Sequence, residues 1–220
     1  MKKILSVILS VSLLATFVLS GCGSKEEPEK AKESKEIVVA TNSETGGLDP
    51  AGMIALTYLA YSVSALDELL TYNAQGEIEY RAAESYEVND DSTVWTFHLR
   101  KEASWSDGTP VTSADFLNTI VRSLDPKSGN GYANYLFPIK NAEAIYNGEA
   151  DVDSLGVETP DDNTLIFTLE KPCVYFLDLL RLPVYTPSCT KYADSVDSGW
   201  DKSPATSVSN GPFYLTEYVP

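Results

Sequence analysis

Apolar and polar residues alternate most regularly between Tyr86 and Arg100. Trp95, Phe97 and Leu99 fall on one side of an extended chain and Val94, Thr96, His98 and Arg100 on the other, so the spacing predicts a strand whose aromatic face is the core face. The polar run Asn89-Asp90-Asp91-Ser92 joins it to Tyr86–Val88 as a hairpin. A further hairpin is expected over Tyr72–Ile78, where Asn73 and Gly76 can take positive φ, and a third strand pair, Leu155–Val157 with Thr164–Leu169, flanks Asp161-Asp162-Asn163. The period becomes helical from Ile54 to Leu70, with Leu56, Leu59, Ala60, Val63, Leu66, Leu69 and Leu70 on one face. A second helix starts after Thr112, with Asp115 placed to complete a capping box, and stops near Leu124 before Asp125-Pro126. Shorter helices are predicted over Asn141–Tyr146, closed by Asn147-Gly148, and over Val174–Leu180. Ile37–Ala40 reads as a buried strand feeding the polar loop Thr41–Gly47, Tyr132–Phe137 as an aromatic-rich loop, and Phe213-Tyr214-Leu215 as the start of one more strand. Pro183, Pro187 and Pro204 keep the chain between these elements extended or looped.

Two segments near the N-terminus stand outside this alternation. Lys2 and Lys3 precede an uncharged run from Ile4 to Leu19, shorter than the roughly 20 residues needed to span a bilayer. This is the layout of a secretory signal peptide. It ends in Leu19-Ser20-Gly21-Cys22, which resembles the bacterial lipobox and implies cleavage before Cys22 and diacylglycerol on its sulfur. A diacyl group anchors stably where one chain would be marginal. Residues 23 to 36 hold four Lys and five Glu and no large apolar side chain, so they form a solvated tether.

Charge then narrows the partners. The formal net charge of −16 includes the two positive charges of Lys2 and Lys3, which leaves −18 on the rest of the chain. Phosphates would be repelled, so no nucleic-acid partner is expected. Catalytic chemistry is also missing from the sequence: the single histidine, His98, lies on the polar face of a strand, without Cys or carboxylate at metal-ligand spacing. Asp90-Asp91 and Asp161-Asp162 sit in hairpin turns, where Asp is favoured for its bond to the backbone. No enzyme activity, cofactor or metal is expected. With Cys22 lipidated, Cys173 and Cys189 remain, and the sequence leaves open whether they form a disulfide or stay as two buried thiols.

Several stretches carry a family resemblance. Trp95-Thr96-Phe97-His98-Leu99-Arg100-Lys101, Trp105-Ser106-Asp107-Gly108-Thr109-Pro110-Val111-Thr112, Ala114-Asp115-Phe116 and Arg122-Ser123-Leu124-Asp125-Pro126 resemble, in order, the oligopeptide/dipeptide-type solute-binding proteins of bacterial ABC importers. Leu48-Asp49-Pro50, Lys171-Pro172 with Tyr175-Phe176-Leu177, and Asn210-Gly211-Pro212-Phe213-Tyr214 agree with it. The resemblance implies an α/β fold of the periplasmic-binding-protein type, two-lobed and of the class II, cluster C-like kind, present here as its N-terminal lobe. Family members are more than twice this length and would carry a second lobe after Pro220, so the chain is either a fragment or the product of a truncated gene. In the implied division, residues 1–21 are the signal peptide, 22–36 the tether, 37–60 and 171–220 segments of the first lobe, and 61–170 an inserted α/β subdomain. The implied function is capture of oligopeptides, as a monomer anchored to the outer face of the membrane, for delivery to ABC permease subunits. The same fold also serves nickel, haem, oligosaccharides and peptide pheromones, and could carry an adhesin or a signalling receptor. By resemblance, Asn42, Ser43, Glu44 and Thr45 offer backbone contacts to a peptide, and Tyr132 and Tyr135 present aromatic edges and hydroxyls. The Trp105–Pro110 turn is expected to serve the fold, with Gly108 making it tight and Pro110 rigid.

Overall fold

The computed structural model describes residues 36–40, 47–52, 58–194 and 199–219. A compact unit runs from Val39 to Pro220, and its centre is the alternating stretch. Strands β1 (Leu70–Tyr72) and β2 (Ile78–Tyr80) form a hairpin of their own. Strands β3 (Ala83–Val88), β4 (Val94–Leu99), β5 (Val157–Asp161) and β6 (Thr164–Thr168) make an antiparallel sheet in the order β3-β4-β6-β5. Phe97 lies opposite Tyr86 on one side and Leu165 on the other, and Trp95 lies opposite Phe167. Trp95, Phe97, Leu99, Leu165 and Phe167 are all buried, while Val94, Thr96 and His98 on the other face are half-buried. The period-2 pattern therefore sets the buried face as expected. Phe97 meets Phe167 edge-on at 5.9 Å between centroids, and Phe167 meets Phe176 at 5.4 Å. Burial of each such side chain contributes about 1.5–3 kcal/mol.

The hairpin turn is closed by Asn89, whose Oδ1 accepts the N–H groups of Thr93 and Val94, each at 2.9 Å. Helix α1 spans Tyr58–Ala65 and helix α2 spans Ser113–Leu124. Asp115 closes the capping box by accepting the Thr112 N–H at 2.9 Å, and Phe116, Ile120 and Leu124 of α2 are fully buried. Short helices α3 (Ala142–Tyr146), α4 (Phe176–Leu179) and α5 (Thr190–Ala193) follow. The core is continuous from Leu48 to Val208. It crosses residue 170, with Trp95 against Phe176 at 5.5 Å and Phe167 against Tyr185 at 6.2 Å.

Strand β5 runs over Val157–Asp161 where Leu155–Val157 is expected, and three further elements depart from the sequence pattern. The first helix ends at Ala65 and not at Leu70, and Leu70 opens β1. In a continuing helix the Ala65 carbonyl would accept the Leu69 N–H. Here it accepts the Gly211 N–H at 3.0 Å and the Ser209 hydroxyl. Asn210 brackets the backbone of Asp67, accepting its N–H at 3.0 Å and donating to its carbonyl at 3.1 Å. A Cβ on residue 211 would lie 2.8 Å from the Ala65 backbone, so the approach needs glycine. Leu66, Leu69 and Leu70 are buried all the same, because the core receives them from a turn and a strand.

The second departure is Ile37–Ala40, which has no regular structure and is exposed, with Val38 at 85%. The third is Phe213–Leu215, which is also not a strand: the Phe213 N–H donates to the Ser64 carbonyl at 3.2 Å, and Tyr214 is 66% exposed. A β-branched or aromatic run becomes a strand only beside a partner, and among the described residues neither run has one. Cys173 and Cys189 are both buried, as free thiols. Burial pushes the Cys189 thiol up, with Asp115 adding to the effect.

Candidate functional site

Of the residues singled out in the sequence, Cys22 and the loop Asn42, Ser43, Glu44 and Thr45 lie outside the described residues. Tyr132 and Tyr135 lie within them and form a stacked pair, 5.9 Å between centroids and 20° apart in plane. A 3-10 turn over Ala133–Leu136 spaces them, with Ala133 and Leu136 buried beneath while Tyr135 is 39% exposed. Both tyrosines are pinned through their backbones. The fully buried Tyr185 donates its hydroxyl to the Tyr135 carbonyl at 2.9 Å. Burial pushes that hydroxyl far above the ordinary tyrosine range, so it stays a donor at every physiological pH. The buried Asn130 accepts the Tyr132 N–H at 2.8 Å and donates to the Ala51 carbonyl at 2.9 Å. That amide ties the aromatic pair to the segment Leu48–Gly52, which follows the loop Asn42–Thr45 in the chain.

The same segment is fixed from two other directions. Asp49 and Arg122 of α2 form a two-pronged ion pair, with Nη1 to Oδ1 at 3.2 Å and a second contact from Nη2 to Oδ2. Arg122 Nη1 also reaches Ser188 Oγ at 3.4 Å. The buried Asp201 accepts the backbone N–H groups of Leu48 and Asp49 on a single oxygen, the latter at 3.1 Å. A Cβ on residue 47 would stand 2.6 Å from that oxygen, which explains Gly47. The site roles of Asn130, Arg122 and Asp201 escaped the sequence reading. Their partners are backbone groups, or side chains 66 and 73 residues away, and no local pattern marks such a partner.

The Trp105 turn is built differently. Gly108 has φ +85°, the Trp105 N–H donates to the Thr109 carbonyl at 2.8 Å, and the Trp105 indole donates to Asp115 at 3.2 Å. Asp107 accepts the Thr109 N–H and hydroxyl at 3.0 and 2.6 Å, the Lys191 ammonium at 2.9 Å and the Tyr192 hydroxyl at 3.0 Å. Burial alone would raise its pKa, but these donors outweigh it and hold the carboxyl well below the usual range. His98 stands apart on the outer face of the sheet, 3.9 Å from Glu87. Backbone-pinned aromatic faces next to an anchored segment can bind an extended ligand by stacking and hydrogen bonding. They offer no nucleophile with its base.

Comparison with known proteins supplies the family. The profile of the bacterial extracellular solute-binding proteins, family 5 Middle, matches residues 77–220, which takes in both faces of the sheet, the Trp105 turn, α2 and the tyrosine pair. The chain belongs to this family. Among family 5 relatives, the periplasmic oligopeptide-binding protein OppA of Escherichia coli is 36% identical over 189 residues, covering 85% of this chain and 34% of its own. A probable deoxycholate-binding periplasmic protein of the same organism is 37% identical over 184 residues, covering 81% of this chain and 34% of its own. The crystal structure of the substrate-binding domain of an oligopeptide ABC transporter from Bacillus anthracis superposes with a TM-score of 0.77 at 36% identity, over 82% of this chain and 35% of that one. The fold is thus the mixed α/β fold of family 5, and the chain spans about a third of the length of the relatives it matches.

Proposed function

We propose that this chain is the N-terminal part of a lipid-anchored solute-binding protein that captures oligopeptides outside the cell and hands them to the permease of an ABC importer. Membership of family 5 carries the reading, together with relatives named for oligopeptide binding. In this scheme the lipid on Cys22 and the tether 22–36 hold the protein at the membrane. Residues 37–60 and 171–220 belong to a first lobe, and 61–170 to a subdomain inserted in it. The peptide lies against Asn42, Ser43, Glu44 and Thr45, with main-chain bonds supplying affinity for many sequences. Tyr132 and Tyr135 give its side chains an aromatic wall. Asn130 ties the wall to Ala51, in the segment that follows that loop in the chain.

Calorimetric titration of a mixed oligopeptide pool, and separately of deoxycholate, into the full-length protein tests this reading. Peptide binding is expected, and Tyr135→Ala is expected to weaken it about tenfold or more. Binding of deoxycholate alone would overturn the peptide assignment, and unchanged peptide affinity in Tyr135→Ala would remove the tyrosine wall. Cys22→Ala is expected to release the protein from the membrane fraction; retention there with unchanged mobility would end the anchor claim.

A further inference from the structure

The sequence contains three Asn-Gly pairs, Asn130-Gly131, Asn147-Gly148 and Asn210-Gly211. This dipeptide is chemically labile because glycine has no Cβ to shield its backbone nitrogen. After losing its proton, that nitrogen attacks Cγ of the preceding asparagine. A bond forms between the nitrogen and Cγ, the Cγ–Nδ2 bond breaks, and ammonia leaves. Water then opens the resulting cyclic imide at either carbonyl, giving aspartate or isoaspartate. No redox change is involved.

In two of the pairs the folded chain opposes this chemistry. Asn130 is buried, with its amide shared between Ala51 and Tyr132. The amide of Asn210 is held at both ends by Asp67, and the Gly211 N–H is held by the Ala65 carbonyl. Freeing either side chain breaks contacts between segments far apart in the chain. Asn147 differs on each count. It is exposed, and its amide makes no hydrogen bond among the described residues. It caps the five-residue helix α3, and the bonds that must open are local: the Asn147 N–H to Glu143, the Gly148 N–H to Ile145, and the Glu149 N–H to Ala144. The last turn of so short a helix frays at little cost. Asn147 also lines an open groove of about 350 Å³, which gives water access, together with Asn141, Glu143, Glu149 and Glu170.

We propose that Asn147 is a deamidation site of the folded protein, and that burial or tertiary hydrogen bonding protects Asn130 and Asn210. The product places a fourth carboxylate beside Glu143, Glu149 and Glu170, and the isoaspartyl form lengthens the backbone where Gly148, at φ +73°, closes the helix. Ageing of the protein thus makes an acidic groove more acidic.

The test follows deamidation in mildly alkaline buffer by peptide mapping with mass spectrometry, which resolves the three asparagines, on the folded chain and in urea. In the folded chain Asn147 is expected to react within about tenfold of its rate in urea, while Asn130 and Asn210 are slowed about a hundredfold or more. Asn147→Gln is expected to abolish the earliest acidic species on isoelectric focusing. Equal rates at the three sites in the folded chain, or persistence of that acidic species in Asn147→Gln, would overturn the proposal.

Discussion

Around Phe97 the chain is held by contact area, whereas around Asp49 it is held by hydrogen bonds of fixed direction. Rings of Trp95, Phe97, Phe167, Phe176 and Tyr185 pack with centroids 5.4–6.2 Å apart and bring together strands and turns distant in sequence. Beside them, the seam around Leu48–Gly52 is tied by Arg122, Asp201 and Asn130, each with named partner atoms. The first kind of region tolerates another apolar side chain of similar volume, because dispersion and burial do not depend on direction. The second does not tolerate even an isostere that loses an acceptor, because the stranded donor keeps its desolvation cost. A binding site needs the second kind, since only directional bonds hold a segment in one register.

Breaking the aromatic side of the comparison should have the largest effect. Phe97→Ala is expected to cost about 3–5 kcal/mol, and His98→Ala, one residue along on the other face, no more than about 0.5 kcal/mol. A urea unfolding series reads both, and a larger cost for His98→Ala would reverse the assignment of the core face. On the seam, Asp49→Ala is expected to cost about 2 kcal/mol, reduced from a fully buried pair because Asp49 and Arg122 keep some contact with water. The comparison sharpens with the double variant Asp49→Ala, Arg122→Ala, which should cost clearly less than the two single changes together. Strict additivity would mean that the ion pair is not what holds the segment.

The smallest effect is a pH dependence at the Trp105 turn. Asp107 has a folded pKa below the usual carboxylate value of about 3.9, so the stability it contributes is present above that pH and lost as pH falls through the lower folded value. Wild type should therefore exceed Asp107→Asn in stability near neutrality, and thermal melts should show the gap closing as the pH drops below about 4. A gap constant across that range would mean that the Lys191 and Tyr192 contacts do not act through the charge.

Much of this architecture was legible because its causes are local. Alternation along Val94–Leu99 named the buried face, Asn89–Ser92 named the turn, and Thr112 with Asp115 named the start of α2. The candidate site was legible only in part. Tyr132 and Tyr135 stood out as aromatic residues in a loop, but nothing near them in sequence pointed to Asn130 as the link to Ala51. The error over α1 has the same origin. Leu66, Leu69 and Leu70 have helical spacing and are buried, yet the Ala65 carbonyl that would carry the helix onward is taken by Ser209 and Gly211.

The sequence by itself therefore determined the buried face of β4, the Asn89 turn and the Thr112 cap, since the atoms that decide them lie within a few residues of one another. Tertiary structure alone decided where α1 stops and how Asp49, Asn130 and Asp201 assemble beside the tyrosine pair. A backbone carbonyl accepts from whichever donor the folded chain brings to it, and donors 79 and 144 residues away leave no periodic trace in the sequence.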